Sequence, residues 1–550
     1  MPPVKAPSAN RPSSWPVHPL LAALPPVLEF TRENLDRVPP RSALPPILVA
    51  TAVVCAMVAL LTPLFRDLHR AALAVTLLTF GFFANRLVPE EHFFLPWVTL
   101  GYRDLFWGAL AVAFAAAFPR GRARRLGAVL NVALLSVCVV QGGQLIRAEG
   151  RRSAKPVGRP GIPTLPSTVD PSAPDVYCLL LDGYGRADVL LDTLGFANPL
   201  TSDLRHAGFF VADRAIANYA QTSLALAAAL NFDYLPALAD LSAMGGDRRG
   251  LSDLIGQAAL PQLFRRAGYR VVALGGEYSP SRLRSVDREV RPLVRIDEFS
   301  SQLLEGSALT ALLAPFTERP RVAPLDWLRH RQVTWQFDRL ASGELGNDGH
   351  PTLVLAHVLT PHPPFVFAPD TGLRATSVYQ GMSDGNHWYR YARGSGERYR
   401  DGYVASIQSV NRQVRRVLAG LDARAERPTV VILFGDHGPG SRLVWEHPEL
   451  TDLRERMSIL WAERWPTGNQ HVDRLVVSPV NGFRRLAREL LGVDLPDLPD
   501  RAYFSRWSRP YDFLDATELA LAEEPKPSVG MAASPAEPRA SPPTPAQPGK

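Results

Sequence analysis

The sequence contains few cysteines and few lysines. Three cysteines (Cys55, Cys138 and Cys178) among 550 residues exclude a disulfide-stapled scaffold and a zinc module built on paired CxxC motifs. Lysine occurs at only four positions among 60 basic residues, so almost all positive charge is arginine. Because that bias runs through the whole chain, the sequence assigns no anion-binding role to individual arginines.

Charge and hydrophobicity exclude a wholly disordered chain. Sixty basic and 53 acidic residues give a net charge of +7, and 46% of the residues are hydrophobic. Disordered chains combine lower hydrophobicity with higher net charge. The 51 prolines are nevertheless numerous and gather in two places. Six lie within residues 153–174 and eight within 523–550. We interpret 151–174 as an extended linker and 523–550 as a disordered tail.

Long runs without any charge lie near the N-terminus. Residues 43–65 and 126–146 are uncharged, and each run is long enough to cross a hydrocarbon core of ~30 Å. Two shorter apolar runs, 71–85 and 105–118, lie between them. A fifth run, 17–28, carries three prolines and is either an interfacial helix or a further span. Residues 1–150 are therefore predicted to form an α-helical transmembrane bundle of four to five helices.

The charge of the short loops predicts the orientation of this bundle. Loops 66–70 and 119–125 are both basic, and basic short loops stay on the cytoplasmic side. The chain then leaves the last span on the outer side. We therefore expect a multi-pass protein of a bacterial-type inner (cytoplasmic) membrane, with everything after about residue 150 extracytoplasmic (periplasmic). No cleavable signal peptide is expected.

Residues 175–515 alternate between short apolar runs and amphipathic segments. The runs 176–181, 271–274, 352–356 and 430–434 have the length and composition of buried parallel strands. Segments 251–267 and 403–421 have helical patterns. The alternation predicts an α/β domain with a mostly parallel central sheet, in which ligands bind beyond the C-terminal ends of the strands.

Polar residues suited to metal binding follow the predicted strands. Asp182 follows the first strand, Asp436 and His437 follow the strand at 430–434, and His357 and His362 follow the strand at 352–356. Aspartate and histidine together suit Zn²⁺ or Mn²⁺. Ordinary turn residues explain each position singly, so both interpretations stay open. Six of the twelve histidines lie within residues 350–447, which favours a polar site there.

Thr222 and Ser223 stand where a helix should begin. The following segment LALAAALN is a strong helix former. Simple capping of the helix is one explanation for the two hydroxyls. A nucleophilic hydroxyl at a helix N-terminus, where backbone N–H groups attract phosphate or sulfate, is the other. A free threonine is a poor nucleophile, and a coordinated metal ion would activate it.

Four motifs in chain order carry a family resemblance. They are LDGYGR at 181–186, NYAQTS at 218–223, TPHPPF at 360–365 and GDHG at 435–438. The set resembles the sulfatase-like, membrane-anchored branch of the alkaline phosphatase superfamily, in which lipoteichoic acid synthase and lipid A phosphoethanolamine transferase have a similar layout. The resemblance implies an alkaline-phosphatase-like α/β catalytic domain over 175–515 behind the membrane bundle.

The resemblance also implies a metal-dependent mechanism. Carried over residue by residue, it makes Asp182, Thr222, Asp436 and His437 metal ligands. It makes Thr222 the nucleophile of a covalent intermediate and His362 a contact of the transferred or leaving group. Ser223 is the alternative nucleophile. One divalent ion is favoured, Zn²⁺ or Mn²⁺ rather than Mg²⁺ or Ca²⁺, with a second site open through His357 or His447. The C/S-x-P-x-R context of true sulfatases is missing around Thr222, which disfavours formylglycine chemistry.

The expected function is the modification of an envelope lipid or glycan with a phospho-group. The expected partners are the lipid bilayer and a phospholipid or glycan substrate, with no nucleic acid. Three alternatives remain open: a phosphodiesterase or sulfate-ester hydrolase that releases its product to water, a non-catalytic envelope binding protein, and a transporter. The transporter is disfavoured because the spans contain no acidic residue. Region 377–400 is either a lid over the site or a solvent loop.

Overall fold

A computed structural model describes residues 15–84, 100–151, 161–276, 278–305, 307, 324–346, 349–374, 383–391, 395–468 and 476–522. The tail predicted at 523–550, residues 152–160 of the predicted linker and residues 377–382 and 392–394 of region 377–400 lie outside these described residues.

The N-terminal region is helical. Its α-helices within the described residues are α1 (His18–Ala22), α2 (Leu24–Glu33), α3 (Leu44–Phe65), α4 (Leu68–Ala84), α5 (Leu100–Ala117) and α6 (Arg120–Arg151). Two helical segments, Pro40–Phe65 and Arg120–Gly150, are long and apolar enough to cross a membrane. Leu68–Phe83 and Gly108–Ala117 are shorter apolar helices. The helical character of the region is thus confirmed, and the number of spans stays a prediction.

The proline-bearing segment 17–28 forms parts of two helices rather than one. Each has a proline in its first turn, and Ala23 is the residue between them. Proline fits the first turn of a helix because backbone nitrogens there have no intrahelical acceptor, so its missing N–H loses no hydrogen bond. The α1–α2 pair packs against α4 and α6.

The rest of the chain is an α/β fold around one large sheet. Its strands are β1 (Asp175–Leu181), β2 (Phe210–Val211), β3 (Arg214–Ala215), β4 (Arg270–Leu274), β5 (Arg288–Val290), β6 (Thr352–Val358), β7 (Thr429–Phe434), β8 (Trp461–Arg464), β9 (Val476–Val477), β10 (Tyr503–Phe504) and β11 (Leu514–Asp515). Seven of them form the main sheet in the order β2-β8-β7-β1-β6-β4-β5.

The five strands from β7 to β5 are parallel, and β8 pairs antiparallel with β7. The mostly parallel sheet predicted from the apolar runs is therefore confirmed. In the register of the centre, Val176 faces Leu353 on one side and Val430 on the other. All four predicted strands are present. β8 was not predicted, because its sequence WAER carries two charged residues.

Helices cover both faces of the sheet. Those of the α/β region are α7 (Ala187–Leu194), α8 (Leu200–His206), α9 (Thr222–Ala229), α10 (Leu235–Leu238), α11 (Leu241–Met244), α12 (Arg249–Gly256), α13 (Ala259–Ala267), α14 (Glu298–Glu305), α15 (Pro324–Ala341), α16 (Asn386–Tyr391), α17 (Gly396–Arg424), α18 (Leu453–Met457), α19 (Pro479–Leu491) and α20 (Thr517–Ala520). Val176, Cys178 and Leu180 pack on one face with α9, α13 and α19, and the alternate residues of β1 pack on the other face with α15 and α17.

The segment predicted as one helix over 251–267 is two helices, α12 and α13. Ala258 is extended between them (φ −57°, ψ 147°). Pro261 explains the break. Its nitrogen has no hydrogen, and in a continuous helix its ring would clash with the carbonyl of Gln257 four residues earlier. The helix predicted over 403–421 lies within the longer α17.

Candidate active site

Polar residues gather at the C-terminal ends of β1, β6 and β7. Asp182 follows β1 directly, and its backbone N–H donates to the Val358 carbonyl at 3.0 Å. The His362 N–H donates to the Asp182 carbonyl, also at 3.0 Å. These two bonds tie the end of β1 to the turn after β6. Asp436 and His437 follow β7, the other neighbour of β1.

Two carboxylates at this edge are buried and incompletely bonded. Asp182 and Asp436 are each 1% exposed. One Asp436 oxygen accepts from the Gly183 N–H at 3.1 Å. Within the described residues, the other Asp436 oxygen (Oδ2) and Asp182 Oδ1 have no hydrogen-bond partner. Burial, reinforced by the neighbouring Asp436, raises the pKa of Asp182 to about 8. Orphaned buried carboxylate oxygens of this kind fit a divalent cation.

His437 presents a nitrogen lone pair to the two orphaned carboxylate oxygens. Its Nδ1–H donates to the Gly438 carbonyl at 2.9 Å, which leaves Nε2 as an acceptor. Nε2 lies 3.5 Å from Asp182 Oδ1 and 3.5 Å from Asp436 Oδ2, the two orphaned oxygens. Burial and the nearby Arg456 lower the pKa of His437 well below its ordinary value. The imidazole is therefore neutral, the form in which histidine binds metal ions.

Thr222 completes this group of converging atoms. Its Oγ1 lies 3.2 Å from His437 Nε2. It is the first residue of α9, and Gln221 holds the N-cap position without a side-chain capping bond. The Thr222 hydroxyl is thus directed at His437 and does not cap the helix. The Ser223 hydroxyl is hydrogen-bonded instead to the phenol of Tyr278.

Of the other predicted histidines, His362 and His357 lie close to Asp182, and His447 lies elsewhere. An imidazole nitrogen of His362 lies within 4.8 Å of ligand atoms of Asp182 and His437, and its Nδ1–H donates to the Pro363 carbonyl at 2.7 Å. His357 Nε2 lies 2.8 Å from Asp182 Oδ2. Burial lowers the pKa of His357 to about 4, so its imidazole is neutral in this contact. His447 lies on the surface beside Glu449.

The sequence did not identify several residues that line the same cavity. The cavity holds about 420 Å³, and besides Asp182, Thr222, His362 and His437 it is lined by Gln221, Arg248, Asp384, Arg456 and Trp507. Arg456 Nη1 forms a buried ion pair with Asp384 Oδ2 at 2.7 Å. Asp384 falls in region 377–400, and Arg456 lies outside the four motifs.

The N-terminal region supplies one wall of this cavity. Phe30, Asn34, Arg37 and Val38 line it. The Phe30 ring packs against Phe299 with ring centroids 5.1 Å apart, and the Arg37 guanidinium lies 4.9 Å from the centroid of the Trp507 ring. Nothing in the sequence predicted this contact, because it joins residues more than two hundred positions apart.

A family model described as Sulfatase matches residues 174–484. The chain belongs to the sulfatase family. This match confirms the resemblance found in the four motifs, and the chain is therefore a sulfatase-like enzyme. The matched range contains every residue of the converging group. No curated protein sequence matches the chain.

Solved structures of related folds are distant. The periplasmic domain of EptC from Escherichia coli, solved with Zn, is 15% identical with a TM-score of 0.41, covering 65% of this chain and 100% of that one. The integral membrane protein lipooligosaccharide phosphoethanolamine transferase A (EptA) from Neisseria meningitidis is 13% identical with a TM-score of 0.40, covering 88% and 95%. A putative sulfatase from Bacteroides thetaiotaomicron is 14% identical with a TM-score of 0.37, covering 61% and 74%.

Proposed function

We propose that the chain is a membrane-anchored, metal-dependent transferase that moves a phospho-group to an envelope lipid or glycan through a covalent ester on Thr222. The observation that carries the proposal is the position of the Thr222 hydroxyl. It stands at the start of α9, 3.2 Å from His437 Nε2, in a cavity that Asp182 also lines. A hydrolase of phosphate or sulfate esters that uses the same group is the alternative.

Asp182, Asp436, His437 and Thr222 are the residues that would hold one divalent ion. The orphaned oxygens of Asp182 and Asp436 each lie 3.5 Å from His437 Nε2, and the Thr222 hydroxyl lies 3.2 Å from the same nitrogen. The donor set of carboxylate, imidazole and hydroxyl suits Zn²⁺ or Mn²⁺. Such an ion supplies Lewis acidity and lowers the pKa of a hydroxyl that it binds. His362 lies close enough to contact the substrate or to add a ligand.

The residues of the chain account for each step of a two-step transfer. Backbone N–H groups at the start of α9 bind the phosphoryl oxygens. The Thr222 oxygen attacks phosphorus in line after its proton is released to solvent. The P–O bond to the leaving alcohol breaks, and that oxygen takes a proton from His362. An acceptor hydroxyl, or water in the hydrolase, then attacks the phosphothreonine and regenerates the Thr222 hydroxyl.

Membrane attachment over residues 1–150, with four to five spans, belongs to the same proposal. The start of α3 and the end of α6 lie beside the α/β region: the Arg248 N–H donates to the Asp36 carbonyl at 2.7 Å, and Arg249 contacts Glu149. At the opposite ends of these helices, the Arg120 guanidinium lies 3.7 Å from the Asp67 carboxylate. Both basic loops are thus at the end away from the active site. This supports a cytoplasmic side for the loops and a periplasmic side for residues 175–515, with 151–174 as the linker.

We expect mass spectrometry to locate a covalent adduct on Thr222. The full chain would be incubated in nanodiscs with phosphatidylethanolamine or phosphatidylglycerol, quenched in acid and digested. The peptide containing Thr222 should carry the mass of the transferred phospho-group. The Ser223→Ala variant, the matched control, should carry the same adduct. An adduct that maps to Ser223, or none with either lipid, would contradict the proposal.

Metal analysis should find a divalent ion that depends on Asp436. Elemental analysis of the purified full chain is expected to give one ion per molecule. Asp436→Asn should lower metal affinity by at least about tenfold, because the neutral amide replaces a charged ligand. Metal-induced stabilisation against heat should fall with it. Asp512→Asn, which alters an exposed carboxylate paired with Arg506 at 3.7 Å, should retain the ion. Equal metal content in the two variants would exclude Asp436 as a ligand.

A further inference from the structure

A second and larger cavity adjoins the catalytic one. It holds about 880 Å³, and the two cavities share Arg37, Val38, Ser252 and the segment 278–280 as a common wall. Tyr278 of this wall bonds Ser223, the neighbour of Thr222. A molecule in the larger cavity is therefore separated from the catalytic cavity only by this shared wall.

Arginines dominate the lining of the larger cavity, which we call the arginine cavity. Seven arginines and five carboxylates line it; the arginines are Arg37, Arg41, Arg249, Arg282, Arg284, Arg291 and Arg295. Some of these arginines are paired with carboxylates: Arg249 contacts Glu149 and Asp247, and Arg284 contacts Asp253 at 2.7 Å. The remaining positive charge is concentrated on one side.

That side is the group Arg282, Arg291 and Arg295. Arg282 and Arg291 share a single carboxylate, Glu289. Burial, followed by the charges of Arg282 and Arg295, lowers the pKa of Arg291 to about 10. Arg291 also packs over Gly275, where a Cβ atom would lie only 2.8 Å from its side chain. The absence of a side chain at Gly275 therefore makes room for this guanidinium.

The arginine cavity lies where the apolar helices meet the α/β region. Arg41, Ser42 and Pro45, at the start of α3, line it together with Glu149, near the end of α6. Since α3 and α6 are the two helices long enough to cross a membrane, these helix ends mark the level of the bilayer surface. A ligand in the cavity is thus at the height of lipid headgroups.

A loop beside the cavity has the character of a membrane-contacting tip. Leu293 is fully exposed and Val294 is 73% exposed. Both are flanked by arginines that line the cavity, Arg291 and Arg295. An apolar tip bordered by arginines is the pattern of a segment that dips into the interface while its charged groups bind phosphates there.

We propose that the arginine cavity binds the phosphate-bearing headgroup of an anionic lipid, which the loop tip Leu293-Val294 and the ends of α3 and α6 admit from the membrane surface. Guanidinium groups bind phosphate oxygens through paired, charge-assisted hydrogen bonds. The inference rests on the membrane attachment in the proposed function, and it makes the second substrate of the transfer a lipid held next to Thr222.

Lipid binding can be measured without relying on catalysis. The detergent-solubilised full chain would be titrated with phosphatidylglycerol and, separately, with phosphatidylcholine by native mass spectrometry. Phosphatidylglycerol should bind more tightly than phosphatidylcholine. The double variant Arg282→Gln/Arg291→Gln should weaken the binding of phosphatidylglycerol by at least about tenfold. Arg415→Gln removes an exposed arginine paired with Asp203 in another part of the fold and should bind like the wild type. Thr222→Ala should also bind like the wild type, so a failure of the proposed nucleophile leaves this measurement intact.

Soluble glycerol phosphate distinguishes a lipid from a free anion. If the lipid is the ligand, glycerol phosphate competes only weakly with phosphatidylglycerol. The double variant Leu293→Ser/Val294→Ser should then weaken the binding of phosphatidylglycerol without changing the binding of glycerol phosphate. Equal affinity for glycerol phosphate and phosphatidylglycerol would overturn the lipid assignment. Equal binding by the arginine double variant and the wild type would overturn the site itself. An unfolding temperature equal to that of the wild type checks that the double variant is folded, and the single variant Arg282→Gln serves if it is not, because Arg282 is 58% exposed.

Discussion

Replacing Thr222 with alanine should lower turnover of a phospholipid substrate by on the order of 10⁴-fold, the scale of losing a covalent nucleophile. The expectation follows from the position of its hydroxyl, which is directed at His437 and does not cap α9. Its removal takes away both the attacking oxygen and one of the proposed metal ligands. Steady-state release of the lipid product measures the effect.

Matched variants separate this expectation from a general disturbance of the helix. Thr222→Ser keeps a hydroxyl at the same position and should retain measurable turnover and the covalent adduct. Ser223→Ala removes the neighbouring hydroxyl, which is bonded to Tyr278, and should lower turnover by less than about tenfold, since a hydrogen bond of this kind contributes ~1 kcal/mol. Turnover by Thr222→Ala close to that of the wild type, with unchanged unfolding temperature, would refute a nucleophilic role.

The parts of the site predicted from sequence are those carried by local pattern. Asp182 and the pair Asp436-His437 each follow a short, mostly apolar strand, and parallel strands bring their C-terminal ends to one edge. Thr222 was identified because a strong helix former follows it. The local pattern indicated which residues to examine, but it gave no distances. Whether the Thr222 hydroxyl capped its helix or faced His437 depended on the three-dimensional arrangement.

The parts not predicted depend on contacts between distant segments. Asp384 and Arg456 are far apart in the sequence, and neither lies in one of the four motifs from which site residues were assigned. The wall of Phe30 and Arg37 comes from the N-terminal region and meets the cavity only in the folded chain. The arginine cavity could not be found either, because a sequence rich in arginine everywhere gives no contrast by which Arg282 or Arg291 would be noticed.

The buried ion pair between Arg456 and Asp384 leads to the largest expected effect on stability. Both side chains are almost completely buried. Burial alone would raise the pKa of Asp384, but the Arg456 guanidinium holds it below its ordinary value, so the carboxylate is ionised. Arg456 Nε also donates to the Ala220 carbonyl at 3.0 Å and Nη1 to the Gly438 carbonyl at 3.1 Å. It therefore joins the segment before Thr222 to the segment after His437.

Arg456→Gln should lower the free energy of unfolding of the α/β region by about 3–5 kcal/mol, because it leaves the charge of Asp384 buried without its partner. The shift of the urea midpoint measures the loss. Adding Asp384→Asn removes the stranded charge while the Tyr399 hydroxyl and the Gly385 N–H remain available, so the double variant should be more stable than Arg456→Gln by at least about 1 kcal/mol. Arg501→Gln, which breaks a half-exposed pair with Asp515, should cost less than about 1 kcal/mol. If Arg456→Gln lowers the free energy of unfolding as little as Arg501→Gln does, the charge of the Arg456–Asp384 pair contributes nothing to holding the two segments together. The pair would then only fill space between Thr222 and His437.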